Sequence, residues 1–198
     1  GVIPSALLDV SHILNNFIKS YKNVHLEVFS MSSNKIDEQL HDFKLDIGVT
    51  YLDNEPIMGV EKYFLYDEKY FLITKNQKFK NLNKIKWKDC DGLDLCLISK
   101  ENQFRRILNA IFKNHNISPN VLLESNSLTH IFAHINSSDF STIMPHNFTK
   151  AFNYDSMVNF IELIDPIVSQ KIGIVFIKDK SPSPIKDNFL KFLRNFNK

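Results

Sequence analysis

The sequence predicts an α/β fold built from two Rossmann-like lobes, and three observations carry that prediction. Residues 1–50 alternate strand-like and helical segments in the order β-α-β-α-β, which is the half-unit of a doubly wound sheet. Residues 45–50, Leu-Asp-Ile-Gly-Val-Thr, form the short apolar run expected of a strand buried on both faces of a parallel sheet. The alternation then repeats over residues 59–145, which predicts a second lobe.

The first lobe begins with a strand end at residues 1–3. Ser5 is the expected N-cap of a helix that runs to about Tyr21, and residues 24–29 alternate in the manner of a strand. Residues 30–34 precede a second helix, whose expected apolar face is Ile36, Leu40 and Phe43. In the central strand that follows, Gly48 allows close packing against its backbone.

The remainder of the chain continues with short strands and amphipathic helices. Strands are predicted at residues 59–65, 69–74, 93–98, 121–125, 140–144, 157–161 and 172–177. Helices are predicted at residues 104–115 and 128–135, the second capped by Ser127, and after the Ser-Pro-Ser-Pro segment at 181–184.

Composition restricts the class of protein. With 198 residues, 43% hydrophobic and 23% charged, the chain is globular, and its net charge of +2 comes without a basic cluster that would bind nucleic acid. No apolar run is long enough to span a bilayer. Cys90 and Cys96 match no common zinc spacing and fit the reducing cytoplasm. Because residues 1–3 are already strand-like and no signal peptide precedes them, we expect further residues upstream.

Hydroxyl side chains recur where a predicted strand meets a helix. They are Ser5, Ser32, Ser33, Thr50, Ser125 and Ser127. Helix N-termini bind anions, and ligands of open α/β sheets lie outside the carboxyl ends of the strands, where Thr50 is expected. The pattern predicts a site for a small anion, although each hydroxyl by itself is also an ordinary helix cap.

Several segments together resemble a known family, the effector-binding domain of LysR-type transcriptional regulators, which has a type 2 periplasmic-binding-protein-like fold. The resemblance covers nearly the whole chain. It rests on the segments at residues 1–7, 45–51, 65–72, 124–127 and 170–176 and on Ser183-Pro184.

The resemblance implies two lobes joined by two crossing strands, with lobe I at residues 1–67 and 171–198 and lobe II at 68–170. A small effector would bind between the lobes. The implied contacts are Ser5, Ala6, Ser32, Ser33, Thr50, Ser99, Ser125 and Ser127. A winged helix-turn-helix and a linker helix would precede this chain, so DNA would be bound only through that upstream part. The resemblance also implies a homodimer, and a tetramer of the complete protein.

Two residues depart from the family pattern. Phe140 stands where glycine is usual before the last lobe II strand, which is expected to reshape the cleft. Phe43 stands where the second helix usually ends in glycine, and a left-handed cap disfavours other residues.

Two other classes of protein are alternatives to a regulator. Prephenate dehydratases share the two-lobe fold, but their Thr-Arg-Phe motif is absent, and no nucleophile elbow is present, so we expect neither catalysis nor a cofactor. A periplasmic-type solute-binding protein for a small anion requires an export signal. The reading frame upstream of Gly1 distinguishes these possibilities.

Four further side chains leave the nature of the site open. His130 and His134 have the i, i+4 spacing of a zinc pair, but no third ligand is evident, so no metal is predicted. Arg105 and Arg106 begin a lobe II helix, where they could pair with an anionic effector or lie at the surface.

The first helix carries more apolar side chains than one core face requires. They are Leu7, Leu8, Val10, Ile13, Leu14, Phe17, Ile18 and Tyr21. The lobe II helix carries a second apolar set, Leu128, Ile131, Phe132 and Ile135. In the resembled family these helices meet across a two-fold axis, so a dimer is expected, the alternative being a monomer in which each helix is covered by its own lobe.

Overall fold

The structure, a computed structural model, describes residues 1–148, 158–178 and 184–196. The strands are β1 (Gly48–Tyr51), β2 (Val60–Glu68), β3 (Tyr70–Thr74), β4 (Lys84–Lys86), β5 (Asp94–Ile98), β6 (Asn120–Ser125), β7 (Thr142–Pro145), β8 (Asn159–Ile164) and β9 (Gln170–Ile177). The helices are α1 (Leu7–Ser20), α2 (Ser33–His41), α3 (Gln103–Asn114), α4 (Leu128–Ser137) and α5 (Pro184–Phe196).

The chain divides into two compact units. Unit 1 comprises Gly1–Leu65 and Ile172–Lys198, and unit 2 comprises Tyr66–Lys171. The chain therefore passes from unit 1 to unit 2 within β2 and returns within β9. No helix in the described ranges is both long and apolar enough to cross a membrane.

The sheet of unit 1 has the strand order β1-β9-β2. All four residues of β1 are buried, which confirms the predicted burial on both faces. The prediction of a parallel sheet is wrong on one side, because β1 pairs antiparallel with β9. On its other side β1 makes a parallel bridge between Val49 and Val2. The pattern of residues 1–50 could not reveal an antiparallel neighbour that comes from the far end of the chain.

The predicted strand at residues 24–29 does not form a ladder. Only the adjacent Ser30 bridges to Val2, in parallel. Val2 exchanges backbone hydrogen bonds with Phe29 and Met31 on this side, and none of the described strands pairs with the residues before Phe29.

The start of the first helix also differs from the prediction. Residues Pro4–Ala6 form a 3₁₀ turn, and α1 follows with Ala6 at its N-cap and no side-chain cap. Ser5 is therefore not the N-cap, because Pro4 begins the turn before it and its hydroxyl lies against another side chain, described below.

Gly48 packs as closely as expected. A Cβ atom at this position would lie 2.6 Å from Ile36 Cγ2 and 2.8 Å from Val175 Cγ2. The glycine thus allows α2 and β9 to approach the backbone of β1.

Helix α2 ends in a Schellman motif with Phe43 in the left-handed position, at φ 56°. The Lys44 amide donates to the Gln39 carbonyl (2.8 Å) and the Phe43 amide to the Leu40 carbonyl (3.1 Å). Ile36 and Leu40 are buried as predicted, but Phe43 is 75% exposed, so its assignment to the apolar face is wrong. A residue in the left-handed conformation projects away from the face that its spacing suggests.

Replacing Phe43 with glycine is expected to stabilise unit 1 by about 0.5–1 kcal/mol, because glycine adopts a positive φ without the steric cost of a Cβ atom. The measurement is the urea midpoint of unfolding. Phe43→Ala is the matched control, since it also removes the exposed ring but keeps the Cβ atom, and it should leave the midpoint unchanged. Equal midpoints for both variants would show that the left-handed cap carries no strain.

Unit 2 contains a four-stranded sheet of order β4-β8-β3-β7 and a parallel pair, β5 and β6. Its core is aromatic, with Trp87 6.0 Å from Tyr70 and 6.4 Å from Phe112 between ring centroids. The predicted strands and helices of this unit are confirmed within a few residues. Strand β4 was not predicted, because a single buried residue between two exposed lysines gives little periodicity. The predictions at Met157 and at residues 181–183 lie outside the described residues.

Candidate functional site

Three chain segments of unit 1, those that contain Val2, Ser30 and Val49, run parallel and end at the same edge. Val2 bridges in parallel to both Ser30 and Val49, so the residues that follow each segment emerge side by side. These residues are the Pro4–Ala6 turn, the start of α2 at Ser33, and the end of β1 at Tyr51. The structure thus brings the three predicted hydroxyl-bearing regions of this lobe to one edge, the usual position for ligands in α/β sheets.

Ser5 contacts a residue that the sequence did not indicate. Its hydroxyl lies 3.3 Å from the Tyr51 hydroxyl, and both residues are buried, at 3% and 2% exposure. The adjacent Ala6 is fully buried, and its amide donates to the Ile3 carbonyl. Tyr51 directly follows Thr50 in the sequence, but the apolar pattern did not indicate that its hydroxyl would lie against Ser5.

Thr50 presents a separate hydroxyl. Its residue is 1% exposed, and its Oγ1 atom has no hydrogen-bond partner among the described residues. Because successive strand side chains point to opposite faces, Thr50 lies on the face of β1 opposite Tyr51. The structure therefore brings Ser5 to Tyr51 and not to Thr50.

The start of α2 supplies two more hydroxyls, which differ in their hydrogen bonding. Ser32 is the N-cap, as predicted, and its side chain accepts a hydrogen bond from the Lys35 amide (3.4 Å). Ser33 is 5% exposed, and its Oγ atom lacks a partner within the described part of the chain. Buried hydroxyls normally have a partner, so Ser33 differs in this respect from the neighbouring Ser32.

Unit 2 has its own edge of this kind. Strands β5 and β6 are parallel, and the Ser99 amide donates to the Ser125 carbonyl at 2.8 Å, so the two predicted serines are brought together. Ser127 caps α4, as predicted, by accepting from the His130 amide (3.2 Å).

The His130 ring is engaged with this cap. Its Nδ1 atom lies 3.0 Å from Ser125 Oγ, which also accepts from the Ser127 amide at 3.1 Å. The ring centroids of His130 and His134 are 6.5 Å apart. Within the described residues, no group of three or more His, Cys, Asp or Glu side chains is arranged to hold a metal ion.

Arg105 is buried and fully engaged inside unit 2. Only 3% of the residue is exposed, and its guanidinium donates to the Ile98 carbonyl (2.9 Å), to Glu124 Oε1 (2.8 Å) and to Asn109 Oδ1 (2.9 Å). It therefore connects the end of β5 to the end of β6, next to Ser99 and Ser125. Arg106 is half-buried and donates to the Glu101 carbonyl at 2.8 Å. The Arg105 guanidinium thus holds the ends of β5 and β6 together, a set of contacts that its place in the sequence did not indicate.

Comparison with known families identifies the chain. The sequence profile of the LysR substrate binding domain matches residues 1–198. The chain belongs to the LysR substrate binding domain family. This confirms the resemblance found in the sequence, together with its type 2 periplasmic-binding-protein-like fold, and it does not favour the solute-binding alternative.

A curated relative of this LysR domain is the uncharacterized HTH-type transcriptional regulator YybE of Bacillus subtilis. It is 22% identical over 187 residues, which are 93% of this chain and 62% of YybE. The chain therefore spans less than two thirds of the length of that relative. YybE is named as a transcriptional regulator and not as an enzyme.

Solved structures share the fold. The regulatory domain of CcmR from Synechocystis, in complex with 2-PG, has a TM-score of 0.88 at 16% identity and covers 100% of this chain and 95% of its own. The effector binding domain of QuiR, in complex with shikimate, has a TM-score of 0.83 at 21% identity, over 99% and 94%. Full-length CbnR, complexed with its target DNA, has a TM-score of 0.82 at 20% identity, over 98% and 67%.

Proposed function

We propose that this LysR domain senses a small anionic effector for a cytoplasmic transcriptional regulator. The observation that carries the proposal is the edge of unit 1, where three parallel segments end with Ser5 and Tyr51 in contact and Ser33 and Thr50 unpartnered and buried. Hydroxyls and the α2 N-terminus together offer hydrogen-bond donors and a partial positive charge, which suit a carboxylate or small oxyanion. Ser99, Ser125 and Ser127 of unit 2 would supply further donors.

The proposed mechanism is a shift between conformations. An effector that binds one arrangement of the domain more tightly than another raises the population of that arrangement. DNA would be contacted by the part of the complete regulator upstream of this domain. The curated relative YybE is named as a transcriptional regulator, so binding without catalysis, metal or cofactor is the proposal.

The test is a thermal-shift screen of small anions, including phosphate, sulfate, simple carboxylates and shikimate. An effector at 100 times its dissociation constant should stabilise the domain by about 2.7 kcal/mol. For a chain of this size that corresponds to a rise of about 5–10 °C in melting temperature. If no anion raised the melting temperature while neutral compounds did, the anionic character of the effector would be excluded.

Ser5→Ala and Thr50→Val are each expected to weaken effector binding by about 1–3 kcal/mol, because each removes a hydroxyl that the ligand would engage in a buried place. Isothermal calorimetry with the effector found in the screen measures the loss. Tyr51→Phe should behave like Ser5→Ala, since the two hydroxyls are in contact.

Ser11→Ala is the matched control, because Ser11 is an exposed helix residue whose hydroxyl bonds only to the Leu7 carbonyl. Unchanged affinity in both Ser5→Ala and Thr50→Val would remove these residues from the site. A loss in Ser5→Ala alone would restrict the site to the Tyr51 face of β1.

Assembly as a dimer remains part of the proposal, through α1. Ile18 is 43% exposed, Leu8 is half-buried, and Val10, Ile13 and Phe17 are buried. The second predicted patch is smaller than expected, because Ile131, Phe132 and Ile135 of α4 are all buried and only Leu128 is partly exposed.

Ile18→Glu is expected to shift the domain from dimer to monomer at micromolar concentration, because a charge at a covered apolar position must be desolvated. Light scattering measures the mass of each form. Lys19→Glu, at the next exposed residue, is the control for charge alone. A wild-type domain that stays monomeric at high concentration would contradict the dimer.

A further inference from the structure

The hydroxyl of Ser125, at the end of β6, is held by two neighbours. Its Oγ atom accepts a hydrogen bond from the Ser127 amide (3.1 Å) and lies 3.0 Å from the His130 Nδ1 atom. A serine hydroxyl has one proton to donate and can accept two hydrogen bonds. Within the described ranges, Nδ1 is the acceptor that lies within reach of this proton, so the neutral His130 ring takes it. Ser125 then has no proton left to donate to an anion.

Protonation of the His130 ring reverses the direction of this hydrogen bond. An imidazolium carries an N–H group on both ring nitrogens, so Nδ1 must donate to Ser125 Oγ and can no longer accept from it. Oγ then accepts from Nδ1 and from the Ser127 amide together, and its own proton turns away from the ring. The uptake of one proton by His130 therefore converts Ser125 into a hydrogen-bond donor for a ligand.

His130 lies in the first turn of α4. A positive charge on the ring is unfavourable there, because the N-terminus of a helix already carries a partial positive charge. An anion bound next to Ser125 would offset both charges and would accept the released hydroxyl proton. The proton and the anion thus favour each other's binding, and such a coupling is reciprocal.

The other titratable groups near His130 do not replace the anion. On α4 itself and on the strands packed against it, they are Asp94 and Cys96 of β5, Glu124 of β6 and His134 of α4. Glu124 precedes Ser125 in β6, so its side chain points to the opposite face of the strand. Its Oε1 atom accepts from Arg105 (2.8 Å) and lies 3.9 Å from Lys100 Nζ, so two cations already balance its charge. Asp94 is at the far end of β5, and Cys96 is buried.

We propose that unit 2 binds its anion together with one proton, which His130 takes up, so that the affinity for the effector rises as the pH falls. The ligand class is an acid that keeps its negative charge when a histidine is protonated, such as a carboxylate or a sulfate-like oxyanion. The inference rests on the proposed function, because it takes the effector to be an anion that Ser125 contacts.

Isothermal calorimetry with sulfate and with shikimate tests the proposal. Both keep their charge between about pH 5.5 and about pH 8, the range in which histidine side chains change theirs. The wild-type domain should bind each anion about tenfold more tightly at the lower pH. His130→Gln should bind equally at both pH values, because its side chain cannot take up a proton. His134→Gln is the matched control, since that ring is 6.5 Å from His130 on the same helix, and it should keep the tenfold change.

Ser125→Ala separates the hydroxyl from the charge of the ring. This variant should bind both anions weakly and without dependence on pH, and a tenfold dependence that persisted in it would overturn the proposal. Nitrogen-15 NMR of the free domain at the higher pH should show His130 Nδ1 without a proton. A proton on Nδ1 would also overturn the proposal, because the Ser125 hydroxyl would then be available at every pH.

The same measurements distinguish this inference from the proposed function. Anion binding that is independent of pH in the wild-type domain, or equally dependent on pH in His130→Gln, would overturn the inference and leave an anionic effector in place. A domain that bound neither anion at either pH would contradict the anionic effector, and this inference with it.

Discussion

Gly173→Ala is expected to lower the free energy of unfolding by about 3 kcal/mol, the largest effect of any single-methyl change in unit 1. A Cβ atom at this position would lie 2.5 Å from the Tyr63 carbonyl oxygen, and 2.6 and 2.8 Å from the two methyl groups of Leu52. The carbonyl belongs to the backbone of β2, so it cannot rotate away, and β9 would have to separate from β2. Urea denaturation monitored by circular dichroism measures the loss.

Gly48→Ala is the matched comparison, because it adds the same atom to the neighbouring strand. Its closest contacts are all side-chain methyl groups, at 2.6 Å and beyond, which can shift at moderate cost. A loss of about 1 kcal/mol is expected. If Gly48→Ala lowered the free energy of unfolding more than Gly173→Ala, the close approach of β2 to β9 would not be the contact in unit 1 that tolerates an added methyl group least.

Arg105→Met should destabilise the domain by about 3 kcal/mol. Methionine fills a similar volume but leaves the Ile98 carbonyl and one face of the Glu124 carboxylate without their donor. Part of this cost is reduced by solvent, because the Glu124 side chain is 36% exposed. The measurement is again the free energy of unfolding in urea.

Arg106→Met is the control at the adjacent position, where the residue is only half-buried, and it should change stability by no more than about 0.5 kcal/mol. Effector binding by the two variants also decides whether Arg105 contacts the effector, which the sequence left open. A stable Arg105→Met variant that had lost effector binding would make Arg105 a ligand contact and not a positioning residue.

Local features of the site were predictable from the sequence. Ser32 and Ser127 cap their helices because an N-cap depends only on residues within one turn. The burial of β1 and the tight packing at Gly48 also followed from a short apolar run that contains one glycine.

Features set by distant parts of the chain were not predictable in the same way. The antiparallel pairing of β1 with β9 depends on residues more than a hundred positions away, and the Ser5–Tyr51 contact depends on how a 3₁₀ turn meets a strand end. Residues 24–29 have the alternation of a strand, but alternation alone does not show which strand pairs with them. The burial of Arg105 and its hydrogen bonds to Ile98 and Glu124 were also not predictable, because the sequence shows a charge but not its surroundings.

The register of β1 with β9 has a consequence for how this domain can diversify. Thr50 lies opposite Gly173, and Tyr51 opposite Ile172, the residue at which the chain re-enters unit 1. Under the proposed function, a substitution at Thr50 or Tyr51 would alter both the effector site and the pairing of β1 with β9, the strand in which the chain returns to unit 1. New specificities are more accessible through the Pro4–Ala6 turn and through Ser32 and Ser33, where side chains can change without disturbing a ladder. The segments of this edge that can change most freely are thus different from the end of β1, which pairs with β9.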